Sequence, residues 1–290
     1  MAGPVQNFAG VLGWPLTRTL SPAIHTAAFR RLGFDWAYLA FPIPPDLLPQ
    51  AVGGLRALGA VGANVTIPHK ETVIAHLDQL SGDAAAIGAV NTIQRLGDRL
   101  IGHNTDVDGF REFIGGDAGI NVSGSRALVL GTGGAARAVV KALDDLDAAE
   151  IVIAARSSER GSALTQLVGR AHATVADWDQ AAALASEAVI VVNATPLGAE
   201  GENPVPDAIW HPGQVVVDLV YSPPATPLVE AARAAGADAW GGLGMLVRQA
   251  AASFQIWTGQ DPPLETMSAA AVHAIGPSGS TRPSGVPKKH

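Results

Sequence analysis

The sequence predicts an α/β protein of two units with largely parallel sheet, and three observations predict it. Short apolar runs alternate with Ala/Leu-rich segments of helical length, the pattern of helices laid over parallel strands. The stretch Gly131-Thr-Gly-Gly-Ala-Ala136 follows one such run and opens one such segment. The chain has 290 residues, too many for one small domain and suited to two.

Taken in order, Phe8–Gly13 reads as a strand and Pro22–Leu32 as a helix with Ser21 placed to cap it. Trp36–Phe41 reads as a strand and Asp46–Leu58 as a helix. Gly62–Ile67 is a short strand that enters a helix through Pro68, which puts Lys70 in the first helical turn. Val90–Arg95 and Arg99–His103 form a hairpin around Gly97-Asp98. Asp106–Ile114 is a helix that leaves the first unit, and the Gly/Ser-rich stretch Gly115–Ser125 is the boundary.

The second unit starts with a strand at Arg126–Leu130, a helix at Gly134–Leu146 and a strand at Glu150–Ala155. Ala188–Asn193 and Gln214–Leu219 are buried strands, and Leu243–Trp257 is a strongly helical segment. Residues 276–290, rich in Gly, Pro and Ser, read as a disordered tail, with Lys288, Lys289 and His290 solvated.

Composition narrows the function. Hydrophobic residues make up 48% and charged residues 16%, enough for a large core. The net charge is −7 and no Lys/Arg cluster precedes the last residues, so nucleic acid is not the expected partner. Cys is absent, which removes disulfides and thiolate metal sites. The His residues show no H-E-x-x-H pair, and no metal is expected. No apolar run reaches the roughly 18 residues of a membrane span, and no secretory signal is read at the N-terminus. The expectation is a cytoplasmic enzyme for a small molecule, a monomer or homodimer.

The glycine stretch carries the sharpest chemistry. Gly131 allows a tight turn, Gly133 admits a pyrophosphate to the backbone, and Ala136 lets helix and strand pack closely. The helix N-terminus offers unpaired N–H groups and a partial positive charge to the anion. The next strand ends in Arg156, where an NAD site calls for Asp or Glu, and Arg160 follows four residues on. Two guanidiniums suit a 2′-phosphate, so NADP is expected over NAD. Arg160 alone reads equally as an exposed side chain.

In the first unit, polar residues gather where strands hand over to loops: Asn64-Val-Thr66-Ile-Pro68-His-Lys70, Ala89-Val-Asn91-Thr92, and Gly102-His-Asn104-Thr105-Asp106. Ligands of open α/β sheets collect beyond the carboxyl ends of strands. A lysine in a first helical turn opposes the helix dipole at a cost of a few tenths to about 1 kcal/mol. Lys70 and Asp106 are therefore candidates for acid–base work. By residue type, Lys70 also reads as a solvated surface lysine, and Asp106 as the N-cap of its helix. His69 reads as exposed rather than as a proton shuttle.

Seven ordered motifs now converge. They are Gly13-Trp-Pro-Leu-Thr-Arg-Thr-Leu-Ser-Pro-Ala-Ile-His25, Asn64–Lys70, Gly88-Ala-Val-Asn-Thr92, Asn104-Thr-Asp-Val-Asp-Gly109, Gly131–Arg137, Asn193-Ala-Thr195, and Gly242-Leu-Gly-Met-Leu-Val-Arg-Gln249. With them the sequence resembles the shikimate dehydrogenases from about Val11 to Trp257. The resemblance implies a mixed, mainly parallel substrate-binding domain, residues 1–115 and 243–275, with a Rossmann NADP-binding domain, residues 116–242, inserted between its parts.

It further implies reduction of 3-dehydroshikimate to shikimate with NADPH, in the pathway to chorismate and the aromatic amino acids. Lys70 and Asp106 match the catalytic pair. Thr66, Asn91 and Gln249 match ring-hydroxyl ligands, and Thr19, Ser21 and Tyr221 match residues around the substrate carboxylate. Gly131, Gly133, Gly134, Ala135, Arg156, Arg160, Thr195, Leu219 and Gly242 match the cofactor side, with Asn193 on the same loop as Thr195. Some positions depart from the family's common pattern: Thr19 replaces Ser, Arg18 replaces His, Ala155 replaces Asn and Gly241 replaces Asp. The extra methyl of Thr19 points to quinate or an amino analogue as the alternative substrate; a non-catalytic NADP-binding protein is the remote rival.

Overall fold

The computed structural model describes residues 7–276; nearly all of the expected tail lies outside the described residues. Six strands form the first sheet: β1 (Asn7–Gly13), β2 (Trp36–Pro42), β3 (Gly62–Val65), β4 (Gln79–Leu80), β5 (Thr92–Leu96) and β6 (Arg99–His103). Their order is β2-β1-β3-β5-β6-β4, parallel except where β5 pairs antiparallel with β3 and β6. The helices of this stretch are α1 (Ser21–Arg31), α2 (Leu48–Ala57), α3 (Gly82–Ile87) and α4 (Asp106–Glu112).

A second sheet follows, made of β7 (Arg126–Leu130), β8 (Glu150–Ala155), β9 (His172–Asp177), β10 (Ile190–Asn193), β11 (Val215–Asp218) and β12 (Asp238–Gly241). Its order is β12-β11-β10-β7-β8-β9 and every pair is parallel. That is the doubly wound dinucleotide-binding order, in which the chain reverses direction across the sheet between β7 and β10. The helices here are α5 (Gly134–Asp145), α6 (Ser158–Thr165), α7 (Ala181–Glu187) and α8 (Pro227–Ala234).

The chain then returns to the first sheet through α9 (Leu243–Thr258) and α10 (Leu264–Ile275). Helix α9 buries Val247, Ala250, Ala251, Phe254 and Trp257 against β1, β2 and α1. The run contains few β-branched residues, and Gly259 ends it in the left-handed conformation at φ 66°. Leu128, Leu130, Val191 and Val216 line one face of the second sheet, and Val129, Ile153, Val192 and Val217 line the other. Burial on both faces explains why these strands read as unbroken apolar runs.

Several local expectations need correction. Ser21 does not cap α1; it is the first helical residue, and its N–H donates to Thr19 Oγ1 at 3.3 Å. No helix starts at Pro68. The chain turns there, the His69 N–H donating to the Thr66 carbonyl at 2.9 Å, and a 3-10 turn begins only at Thr72. The helix-dipole argument for Lys70 therefore falls. Asp106 is not an N-cap either: Thr105 holds that position, without a side-chain cap bond. His69 is buried rather than exposed, its Nε2 2.7 Å from the Ile43 carbonyl. The sequence reading placed no strands at β9 and β12; both lie at the edges of their sheet, where fewer residues are fully buried.

Candidate active site

The carboxyl end of β3, the amino end of the antiparallel β5 and the start of α4 form one wall of a cleft, and the loops after β7, β10 and β11 form the other. The cleft has a volume of about 650 Å³, the size of a small-molecule site. Lys70 and Asp106 meet on its floor, with Nζ 2.5 Å from Oδ2 and side chains only 14% and 7% exposed.

Each partner is held by several bonds. The carbonyl of Lys70 accepts from the Val90 N–H at 2.8 Å. The Asp106 N–H donates to Asn104 Oδ1 at 3.0 Å, and Asn104 Nδ2 donates to the Ala89 carbonyl at 2.9 Å. Asn91 Nδ2 donates to Asp106 Oδ1 at 2.8 Å, while its Oδ1 accepts from the Thr105 N–H at 2.8 Å. One oxygen of Asp106 is thus committed to Asn91 and the other to Lys70.

Below this pair lies a buried polar layer. The Tyr38 hydroxyl donates to Asn64 Oδ1 at 2.7 Å, which leaves Asn64 Nδ2 to donate to Thr92 Oγ1 and Ser253 Oγ, each at 3.0 Å. Thr105 donates to the Gln249 carbonyl at 3.0 Å. Gln249 Nε2 donates to the Leu246 carbonyl at 2.8 Å, and its Oε1 sits 3.4 Å from Asn91 Nδ2. A satisfied buried network of this kind resists rearrangement.

His25 is the exception. It is buried against Tyr38, the rings stacked at 4.4 Å, and neither ring nitrogen has a hydrogen-bond partner among the described residues. Burial pushes its pKa down to about 3, so it stays neutral.

On the opposite wall, Gly131 adopts φ 104°, and a Cβ there would meet Thr195 Cγ2 at 2.8 Å. Only glycine satisfies both limits. Beyond Gly133 the space is open, and Gly133 caps α5 without any side chain. The first N–H groups of α5 have no acceptor within the helix. A Cβ on Gly134 would lie 3.0 Å from the Lys70 side chain. The two walls therefore touch at Lys70 itself.

The cleft brings together Thr19, Ser21, Thr66, Lys70, Asn91, Asp106 and Gln249 on one side, and Gly133, Gly134, Ala135, Thr195, Leu219, Tyr221 and Gly242 on the other. Gly131 supports the loop from behind. Arg156 and Arg160 do not line the cleft; both are exposed beyond its rim, at the end of β8 and on α6. Arg156 makes no ion pair among the described residues, whereas Arg160 Nη2 lies 3.5 Å from Glu71 Oε1.

Asn193 does not face the cleft. It is fully buried, and its Nδ2 donates to Asp218 Oδ1 at 2.9 Å. Burial raises the Asp218 pKa, while bonds from Thr226, Val220 and Asn193 work against that rise. Together these residues brace the loops after β10 and β11.

Sequence reasoning gave no role to Asn64, Thr92, Asn104, Thr105 or Ser253. The first four stood in motifs already noted, at strand ends. Ser253 carried a fainter signal, since it lies four residues after Gln249 and so on the same face of α9.

The fit to a dinucleotide rests on this geometry: open backbone at Gly133, an uncapped helix start and an unpaired Arg156. Among the described residues, no group of three or more His, Asp or Glu is arranged to hold a metal ion, and no helix is long and apolar enough to cross a membrane.

Comparison with known proteins shows the family. Residues 11–93 match the model of the shikimate dehydrogenase substrate binding domain, 116–200 that of shikimate/quinate 5-dehydrogenase, and 242–272 that of the shikimate 5'-dehydrogenase C-terminal domain. The chain is 43% identical over 278 residues to the NADP(+) shikimate dehydrogenase of Methanopyrus kandleri, covering 93% of this chain and 96% of that one. It is 44% identical over 276 residues to the enzyme of the same name from Symbiobacterium thermophilum, covering 92% and 94%. A crystal structure of the Thermus thermophilus shikimate 5-dehydrogenase with NADP(H) and shikimate superposes with a TM-score of 0.79 at 37% identity, covering 92% of this chain and 98% of that one. With relatives this similar over nearly its whole length, the chain belongs to the shikimate dehydrogenase family.

Proposed function

We propose that this chain reduces 3-dehydroshikimate to shikimate, reversibly, with NADPH as reductant. The observation that carries the proposal is the Lys70–Asp106 pair, nearly buried and touching the phosphate-binding loop at Gly134. Related proteins named NADP(+) shikimate dehydrogenase support it.

NADPH, when bound, supplies the hydride that reduces the ketone carbon. Lys70 Nζ gives a proton to the ketone oxygen as negative charge develops there, and takes it back in the reverse reaction. Asp106 holds the ammonium through Oδ2 and is itself oriented by Asn91. Thr66, Asn91 and Gln249 orient the ring hydroxyls. Thr19, Ser21 and Tyr221 take the carboxylate by hydrogen bonding. A site built from uncharged donors rejects molecules that lack the matching hydroxyls, because its own groups would be left unpaired.

On the cofactor side, Gly131–Ala135 hold the pyrophosphate and Arg156 with Arg160 hold the 2′-phosphate. Thr195, Leu219 and Gly242 flank the nicotinamide end. Residues 1–115 with 243–275 serve as the substrate-binding domain and 116–242 as the NADP-binding domain.

Thr19 favours a second reading, in which quinate or an amino analogue is the better substrate. Absorbance at 340 nm with shikimate, quinate and aminoshikimate, each with NADP and NAD, tests both. Shikimate with NADP is expected to give the highest kcat/KM; a dominant quinate rate transfers the assignment to the second reading, and no turnover with any acid removes it.

A further inference from the structure

Glu71 follows Lys70 in the first unit, yet its carboxylate turns toward the second. Oε1 accepts from Arg160 Nη2 at 3.5 Å, and Oε2 lies 3.8 Å from Arg137 Nη2. The two arginines differ in freedom. Arg137 is mostly buried on α5, and its Nη1 donates to the Ile87 carbonyl at 2.8 Å. It is a fixed tie between the two walls. Arg160 is 59% exposed on the first turn of α6, so its side chain has room to swing. Of the two guanidiniums that face the 2′-phosphate in the reading above, Arg156 is unpaired among the described residues and Arg160 is engaged by a carboxylate of the first unit.

We propose that Glu71 is a specificity-determining residue for the cofactor, holding Arg160 until a 2′-phosphate displaces it. A phosphate offers a guanidinium more charge and more acceptor oxygens than one carboxylate does. NADP binding must then break the Glu71–Arg160 pair, whereas NAD, with only a 2′-hydroxyl, leaves the pair intact. Glu71 therefore weakens NADP binding selectively and narrows the preference over NAD. Because the pair joins the two units beyond the rim of the cleft, the same exchange removes one of the ties between them and leaves the Arg137–Ile87 tie in place. The inference rests on the assignment of Arg156 and Arg160 to the 2′-phosphate.

The test is direct binding of NADPH and NADH to the full chain without substrate, by calorimetry, in wild type, Glu71→Gln, Arg160→Ala and the double variant. Glu71→Gln is nearly isosteric and partly exposed, so folding is preserved. It is expected to tighten NADPH by roughly two- to five-fold, the size of one exposed ion pair, and to leave NADH unchanged. In the Arg160→Ala background the gain disappears. An equal change for both cofactors, no tightening of NADPH, or a gain that survives Arg160→Ala overturns the proposal; the last result means plain charge repulsion. Failure of the underlying assignment looks different: wild type and Arg160→Ala would then bind NADPH with the same affinity.

Discussion

On one wall of the cleft Asn64, Asn91, Thr92, Thr105 and Ser253 are buried and bonded to one another; on the other, Gly133 and Gly134 present bare backbone, and beyond the rim Arg156 is exposed and unpaired among the described residues. The first wall gains precision by filling its interior with hydrogen bonds. The second omits side chains at Gly133 and Gly134, which leaves main-chain N–H groups and a helix end facing the cleft. A substrate with several hydroxyls needs many fixed directions, whereas a pyrophosphate needs close approach and positive potential.

This contrast is open to attack at four points. The largest effect is expected at the proposed proton donor, Lys70, in the first wall. Lys70→Ala should lower kcat by roughly 10²–10⁴, the usual size of general acid catalysis, with little change in KM. Asp106→Asn should behave similarly, and wild-type turnover in either variant would remove the mechanism.

The second point is where the walls touch. A methyl at Gly134 falls 3.0 Å from the Lys70 stem, so Gly134→Ala should displace the ammonium and lower kcat by up to ~10², the cost of misplacing a catalytic group by about 1 Å. If instead only the KM for NADPH rises, the loop acts on the cofactor alone and the walls are independent.

Third, Arg156→Ala should weaken NADPH binding by roughly 10–100-fold, since a hydrogen bond to a charged group contributes about 1.5–3 kcal/mol. NADH binding should not move. Parallel losses for both cofactors would show that Arg156 serves the fold rather than the phosphate.

The smallest effect separates structure from catalysis within the second unit. Asp144 accepts from the Gly169, Arg170 and Ala171 N–H groups at 2.8–3.0 Å. Burial works to raise its pKa, but those bonds, with Lys141 nearby, bring it below the ordinary 3.8. A carboxylate lowered in the folded state stabilises fully above its unfolded pKa and loses that contribution as pH falls through the folded value. Asp144→Asn should therefore cost about 1–2 kcal/mol in urea unfolding at pH 7. The gap should shrink on acidification, with kcat unchanged. A gap that persists undiminished well below pH 3 would show that shape, not charge, is responsible.

Much of the fold was legible because its signals are local. The runs at Arg126–Leu130 and Glu150–Ala155 match β7 and β8 at both ends, and the Gly97-Asp98 turn joins β5 to β6 as expected. The misses have several causes. Ser21 and Asp106 are expected as helix caps on residue preference, but both sit at the cleft, where contacts from other elements decide the backbone. His69 looked exposed because the polarity of a side chain does not reveal a carbonyl waiting for it at Ile43. The candidate residues were legible as a set, since strand ends crowded with Asn, Thr, Lys and Asp are unusual for a core; their partners were not.

What the sequence determined by itself is the short-range order: which stretches pair as buried strands, where glycine must turn, and which strand ends carry polar groups. Those follow from sterics and burial within a few residues. Tertiary structure alone decided that Lys70 meets Asp106, that Gln249 and Ser253 come back from α9 to complete the layer around Asn91, and that Glu71 reaches Arg160. The reason is that sheet order, not spacing along the chain, sets those neighbours: the strand order reverses between β7 and β10, whose following loops line the cleft, and α9 returns to pack against the first sheet.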